Sequence, residues 1–235
     1  MTQDLKALYG AEAEAQRARY AALNTAFAEA FGAAEALEYF SAPGRTEVGG
    51  NHTDHNNGKV LAAAVNLDVI AAVKKTENGV IRLKSAGYPM DTVDTAELSV
   101  QESEKERSAA LIRGVCARLK ALGYKVGGFD AVTASRVLKG SGLSSSAAFE
   151  VLVVTILSHL YNGGAIAPVE AAQISKYAEN VYFGKPSGLL DQMAASVGGF
   201  TTMDFADPAA PKIEKIDFDL EKLGYALCVV DTGGN

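Results

Sequence analysis

Residues 41–58, SAPGRTEVGGNHTDHNNG, constrain this chain more than any other stretch. Arg45, Glu47, Asn51, His52, Asp54 and His55 are packed among glycines, directly after a strand-like apolar run at 37–42. Such a loop can hydrogen-bond a ligand that carries many hydroxyls, because it offers both donors and acceptors. Two further segments have complementary chemistry. LKGSGLSSSAA at 138–148 can hold phosphates, and PSGLLDQ at 186–192 sets a carboxylate beside small residues. Together the three point to phosphoryl transfer onto a sugar.

The bulk properties narrow the partners. The 235 residues suffice for one large domain or two small ones. A net charge of −6 argues against a nucleic-acid binder, which needs a basic face to displace counterions. Cys116 and Cys228 lie far apart in apolar runs and read as buried thiols of a reducing compartment. The start, MTQDLKALYG, lacks the basic-then-apolar layout of a signal peptide. The longest apolar run, near 147–157, is interrupted by Glu150 and too short to span a bilayer. A cytoplasmic protein with no membrane partner is expected.

The periodicity predicts a mixture of elements. Tyr20, Leu23, Phe27 and Phe31 recur at helical spacing within 11–31, with Gly32 as a stop. Residues 60–75 read as two strands or one long bent strand, and Asn78-Gly79 predicts a hairpin with 80–85 returning. A helix is expected over 103–122, ended by Gly123, then a short strand within 126–137. An apolar helix should run from Ser144 to about Tyr161, and another from Pro168 to about Tyr182. After a loop at 184–188 come a short helix from Leu189 and strands at 199–205 and 224–231. Strands and helices do not alternate regularly, so the fold class is α+β.

In the glycine-serine segment, Gly140 and Gly142 let backbone approach a phosphate closely. Ser144, Ser145 and Ser146 would open the following helix, whose exposed N–H groups and dipole favour an anion. A serine-capped turn uses the same residues. Neither GxxxxGK[ST] nor GxGxxG fits: no lysine follows the second glycine, and Ser145 stands where the third would be. Lys139 could reach a terminal phosphate or be a solvated lysine.

With the three segments in order, the chain resembles galactokinase within the GHMP small-molecule kinases. The family's sugar signature, GRxNLIGEHTDY, is similar to 44–55; its GxGLSSSA matches 140–147 without a gap; its GxxDQ matches 188–192. The resemblance covers the chain from about residue 37 to its end. It implies the amino-terminal GHMP domain over 1–235, with a left-handed βαβ element and helices packed on a mostly antiparallel sheet. It implies a sugar 1-kinase taking Mg²⁺ with ATP, a sugar and ATP as small-molecule partners, and the family's carboxy-terminal domain beyond Asn235. The chain by itself is then expected to be a poor kinase.

Residue roles follow from the same match. Asp191 corresponds to the catalytic aspartate and Arg45 to the arginine beside it. That arginine can keep the carboxylate ionised or stabilise transferring charge. Asn51, His52, Thr53, Asp54 and Gly188 correspond to sugar contacts. Gly140, Ser141, Gly142, Leu143, Ser144, Ser145 and Ser146 correspond to the ATP-phosphate loop. Ser146 and Glu179 correspond to magnesium ligands. Asn51 stands where the family has glutamate, Glu47 where it has asparagine, and His55 where it has tyrosine, so sugar choice can differ. The chain has no tryptophan to stack adenine; Ser108 or a neighbour fills that region. Two other readings exist: a metal site at His52, Asp54 and His55, and a sugar sensor that keeps ligands but has lost chemistry. The intact phosphate loop, Arg45 and Asp191 favour the enzyme.

Overall fold

The computed structural model describes residues 2–138, 140–207 and 209–230. Its spine is one long strand. β2 (Lys59–Lys75) carries seventeen residues, and β1 (Glu38–Gly49) lies antiparallel along one edge. The other edge is shared: β5 (Phe129–Ser135) pairs with 69–75, and β6 (Phe200–Asp204) with 59–63. β3 (Val80–Ser85) runs parallel to β5 and antiparallel to β4 (Met90–Asp94); β7 (Lys212–Ile216) closes the far edge on β6. The seven strands form one mixed sheet with the path β4-β3-β5-β2-β6-β7 and β1 branching from β2.

Alternation along β2 decides which helices pack where. Ile70 and Ala72 face α1 (Thr2–Tyr9) and α2 (Ala13–Phe31), where Leu5, Tyr20, Leu23 and Phe27 are buried against them. Val69, Ala71 and Val73 share the main core with α3 (Ser108–Ala121), α4 (Ser145–Asn162) and α5 (Pro168–Tyr177). Val60 and Ala62 pack instead on α6 (Leu190–Val197). Between these stretches the register breaks. From Pro43↔Asp68 to Arg45↔Ala64, β1 advances two residues while β2 advances four. Such an irregularity bends a strand and re-aims its side chains, and Arg45 sits at it.

Several elements depart from the periodicity. The 41–58 stretch is not a loop throughout: β1 continues to Gly49, because its pairing with β2 resumes after the bulge. The 60–75 segment is a single strand. Asn78-Gly79 turns the chain, but β3 does not return on β2; β5 occupies that slot. Phe129 and Ala131 on β5 are fully buried, and the more central position is what buries them. The 103–122 helix begins only at Ser108. Residues 224–230 form no strand, since no described strand pairs with them, and Tyr225, Leu227, Val229 and Val230 are exposed; Asp231 lies outside the described residues, as does Lys139. Among the described residues, no helix is long and apolar enough to cross a membrane.

The α1/α2 layer is tied to the spine by one buried carboxylate. Asp68 accepts hydrogen bonds from the Ser41 hydroxyl at 2.7 Å, from Arg19 Nη1 at 2.8 Å and from the Tyr9 hydroxyl. Removing one member of a buried charge pair strands the others without water. Asp68→Ala should cost about 3 kcal/mol. In urea unfolding the midpoint should fall with little change of slope; a midpoint within error of the parent would remove Asp68 from this role.

Candidate active site

Three segments far apart in sequence converge on Asp191. Arg45 Nε donates to Asp191 Oδ1 at 2.7 Å, and Arg45 Nη1 donates to the Gly142 carbonyl at 2.7 Å. The Ser144 hydroxyl donates to Asp191 Oδ2. The backbone joins in, with Arg45 N–H bonded to the Leu143 carbonyl at 3.1 Å. Arg45 is almost fully buried, whereas Asp191 keeps partial access to solvent. The arrangement fixes a carboxylate at the start of α6, its orientation set by the strand bulge and the glycine-serine loop together.

That loop leaves α4 open at its amino-terminus. Ser144 has φ +58° and makes no side-chain cap on the helix, since its hydroxyl is turned to Asp191. The capped-turn reading is thereby excluded. Gly142, at φ +73°, takes the left-handed backbone that positions the Leu143 carbonyl and Ser144 for these contacts. The Ser141 hydroxyl is engaged locally with the Leu138 carbonyl at 2.6 Å. An uncapped first turn of a long helix presents N–H groups suited to an anion.

Two residues on from Ser144, within the first turn of α4, Ser146 donates its hydroxyl to Glu179 Oε1 at 3.0 Å. Glu179 lies in a single π-helical turn, Ala178–Phe183, that follows α5. This widened turn brings the Glu179 carboxylate under α4 and α6, where it is 2% exposed. The same Oε1 also receives Lys185 Nζ at 3.0 Å, and Oε2 receives Gln192 Nε2 at 2.7 Å. Gln192 Nε2 also reaches Glu150 Oε2 at 3.2 Å, and Glu150 is completely buried. Burial first, and the neighbouring Glu179 charge second, hold the Glu150 carboxyl well above its ordinary range. Among the described residues, no group of three or more His, Cys, Asp or Glu side chains converges. The Glu179 carboxylate and Ser146 hydroxyl are hard oxygen donors, and a cation, the Lys185 ammonium, already rests on one of them. Two such donors suit Mg²⁺, which takes its other ligands from water and phosphate.

The glycine-rich turn after β1 docks onto the same helix. Asp54 is buried and accepts Leu190 N–H at 3.0 Å, placing a carboxylate at the amino-terminus of α6. Gly188 makes this possible: a Cβ there would lie 1.8 Å from Asp54 Oδ2. Asn51 and His52 both have left-handed backbone and are exposed on the turn. Glu47 braces them by accepting His52 N–H at 2.8 Å, and Thr53 donates to the Lys59 carbonyl at 3.3 Å. Asp54 therefore faces the protein, while Asn51 and His52 face outward beside it. Ser108, at the start of α3, is bonded to Asp91 at 2.6 Å. Sequence reasoning left out Lys185, Glu150 and the bridging role of Gln192. Only the interruption of an apolar run by Glu150 signalled one of them.

Residues 25–75 match the galactokinase galactose-binding signature, and residues 110–199 match the GHMP kinases N terminal domain. The chain belongs to the GHMP kinases. Within them it is galactokinase-like, as its relatives indicate. It is 36% identical to the galactokinase of Streptomyces coelicolor over 206 residues, covering 88% of this chain and 53% of that protein. The crystal structure of Lactococcus lactis galactokinase complexed with galactose superposes with a TM-score of 0.77 at 29% identity, covering 86% of this chain and 53% of that one. The mevalonate kinase of Methanococcus jannaschii, at TM-score 0.64 and 18% identity over 80% of this chain and 58% of that one, shares the fold. The chain spans about half the length of the curated relatives it matches.

Glu150 makes stability depend on pH. In the unfolded chain its carboxyl loses its proton near 4.5, and in the folded chain only at higher pH. The folded state then binds more protons, so this contribution is complete below 4.5 and is lost as pH rises toward the folded value. Glu150→Gln keeps the shape without the charge. Its melting temperature should decline less than the parent's between about pH 5 and pH 8.5; parallel declines would show that Glu150 is not the group responsible.

Proposed function

We propose that this chain is the sugar- and phosphate-binding part of a kinase that transfers the γ-phosphate of ATP to the anomeric hydroxyl of galactose or a related sugar. The observation that carries the reading is the Arg45–Asp191–Ser144 junction, which joins the sugar-type turn, the phosphate-type loop and a carboxylate in one place. The galactose in the superposed Lactococcus lactis structure supports a sugar of that type. Cys116 is buried as expected, but Cys228 is exposed, contrary to the expectation of two buried thiols.

In this reading Asp191 accepts the proton of the attacking hydroxyl. Its oxygens are directed by Arg45 and Ser144, so the carboxylate is preset before sugar arrives. The sugar sits against the exposed side of the Asn51–His52 turn, whose position is fixed by Asp54 on α6. Asn51 presents an amide that can donate as well as accept, which favours a sugar hydroxyl pattern different from one read by a carboxylate. The uncapped start of α4, with the backbone of 140–146, holds the phosphates. Glu179 and Ser146 would hold the magnesium of MgATP, which would supply charge neutralisation on the transferring phosphoryl group.

A panel of hexoses with MgATP, run on a form of the protein extended to the full length of its relatives, tests this directly. Sugar-dependent ADP release is expected with galactose or a close epimer. Asp191→Asn should lower kcat by at least about 10²-fold, the scale of general-base catalysis, while leaving the sugar dissociation constant within a few-fold. Turnover near the parent rate would strip Asp191 of the base role.

A further inference from the structure

Lys185 sits where a bound cation would sit. Its ammonium is 3.0 Å from Glu179 Oε1, the same oxygen that accepts the Ser146 hydroxyl at 3.0 Å. The placement is built by the local backbone. The π-helical turn ends at Gly184, which has φ +89°, and the N–H groups of Gly184 and Lys185 both return to the Glu179 carbonyl at 3.1 Å. The loop beyond is pinned by Asn180, whose Oδ1 accepts Ser187 N–H at 2.9 Å and the Ser187 hydroxyl at 2.8 Å. Lys185 is therefore folded back on Glu179 from both main chain and side chain. Its partner carboxylate is 2% exposed, but the lysine side chain itself is 56% exposed and can leave toward solvent.

The charge balance explains what the lysine does there. Glu179, Glu150 and Asp191 all act on Lys185. A buried carboxylate without a counter-cation is costly. Lys185 meets that need when no metal is present, and it does so on the oxygen a metal would use. A divalent cation on the same oxygen would stand beside the ammonium, and the two like charges repel.

We propose that Lys185 is a resident competitor for the divalent cation at Glu179 and Ser146: free Mg²⁺ must expel the ammonium before it can bind. The inference rests on the reading of Glu179 and Ser146 as cation ligands. Its consequence is that the site discriminates against metal that arrives without a nucleotide, because only a nucleotide brings phosphates on which the released ammonium can rest.

The test is Mn²⁺ binding to this chain without nucleotide, followed by the relaxation of water protons. Lys185→Met keeps the length of the side chain and removes the competitor. It should bind Mn²⁺ about fivefold more tightly than the parent, the scale of a half-exposed ion pair, and Glu179→Gln in that background should abolish the gain. Lys185→Arg should stay within twofold of the parent. Affinity in Lys185→Met equal to or weaker than the parent overturns the proposal. If Glu179→Gln still lowers binding in that case, the cation-site reading survives; if it has no effect in either background, that reading falls as well.

Discussion

The architecture of this site depends on one contact, the Arg45–Asp191 ion pair, which joins residues 146 positions apart. Each partner is placed by a different cause. Arg45 is re-aimed by the register break in β1, where β2 carries extra residues. Asp191 is set at the start of α6, whose packing on Val60 and Ala62 fixes its distance from the sheet. The guanidinium also holds the Gly142 carbonyl, so the phosphate-type loop is anchored to the same pair. A buried arginine needs several acceptors in a fixed fork, and here the fork itself gathers the three segments.

A second layer lies behind the first. Glu179 connects α4, α6 and the π-helical turn through Ser146, Gln192 and Lys185. The Glu150 carboxyl, fully buried beneath it, is held well above its ordinary range by burial first and by the Glu179 charge second. The two carboxyls thus differ by their surroundings: one is paired with a lysine, and the other is pushed toward its protonated form by burial.

Much of this was legible in the sequence, for physical reasons. Polar residues crowded among glycines have little use in a core, so the 41–58, 138–148 and 186–192 segments stood out as candidate binding elements, and the structure brings them together. What they did not reveal was inward versus outward orientation. Asp54 reads like its neighbours Asn51 and His52, yet it is buried on Leu190 N–H. Strand pairing was the weakest expectation. Asn78-Gly79 specifies a turn locally, but which strand follows beside β2 is decided by the burial of β5. Likewise 224–230 has strand composition without a pairing partner among the described strands. Lys185 was invisible because an isolated lysine in a polar loop has no pattern; only the π-helical turn gives it a role.

The most direct measurement is a double-mutant cycle of folding stability with Arg45→Met, Asp191→Asn and the pair together, in urea at neutral pH. If the ion pair closes the site as described, the two changes will be strongly non-additive, with a coupling of about 1–3 kcal/mol. Additivity within about 0.3 kcal/mol would mean that Arg45 and Asp191 do not act on each other, and the convergence of the three segments would lose its physical basis.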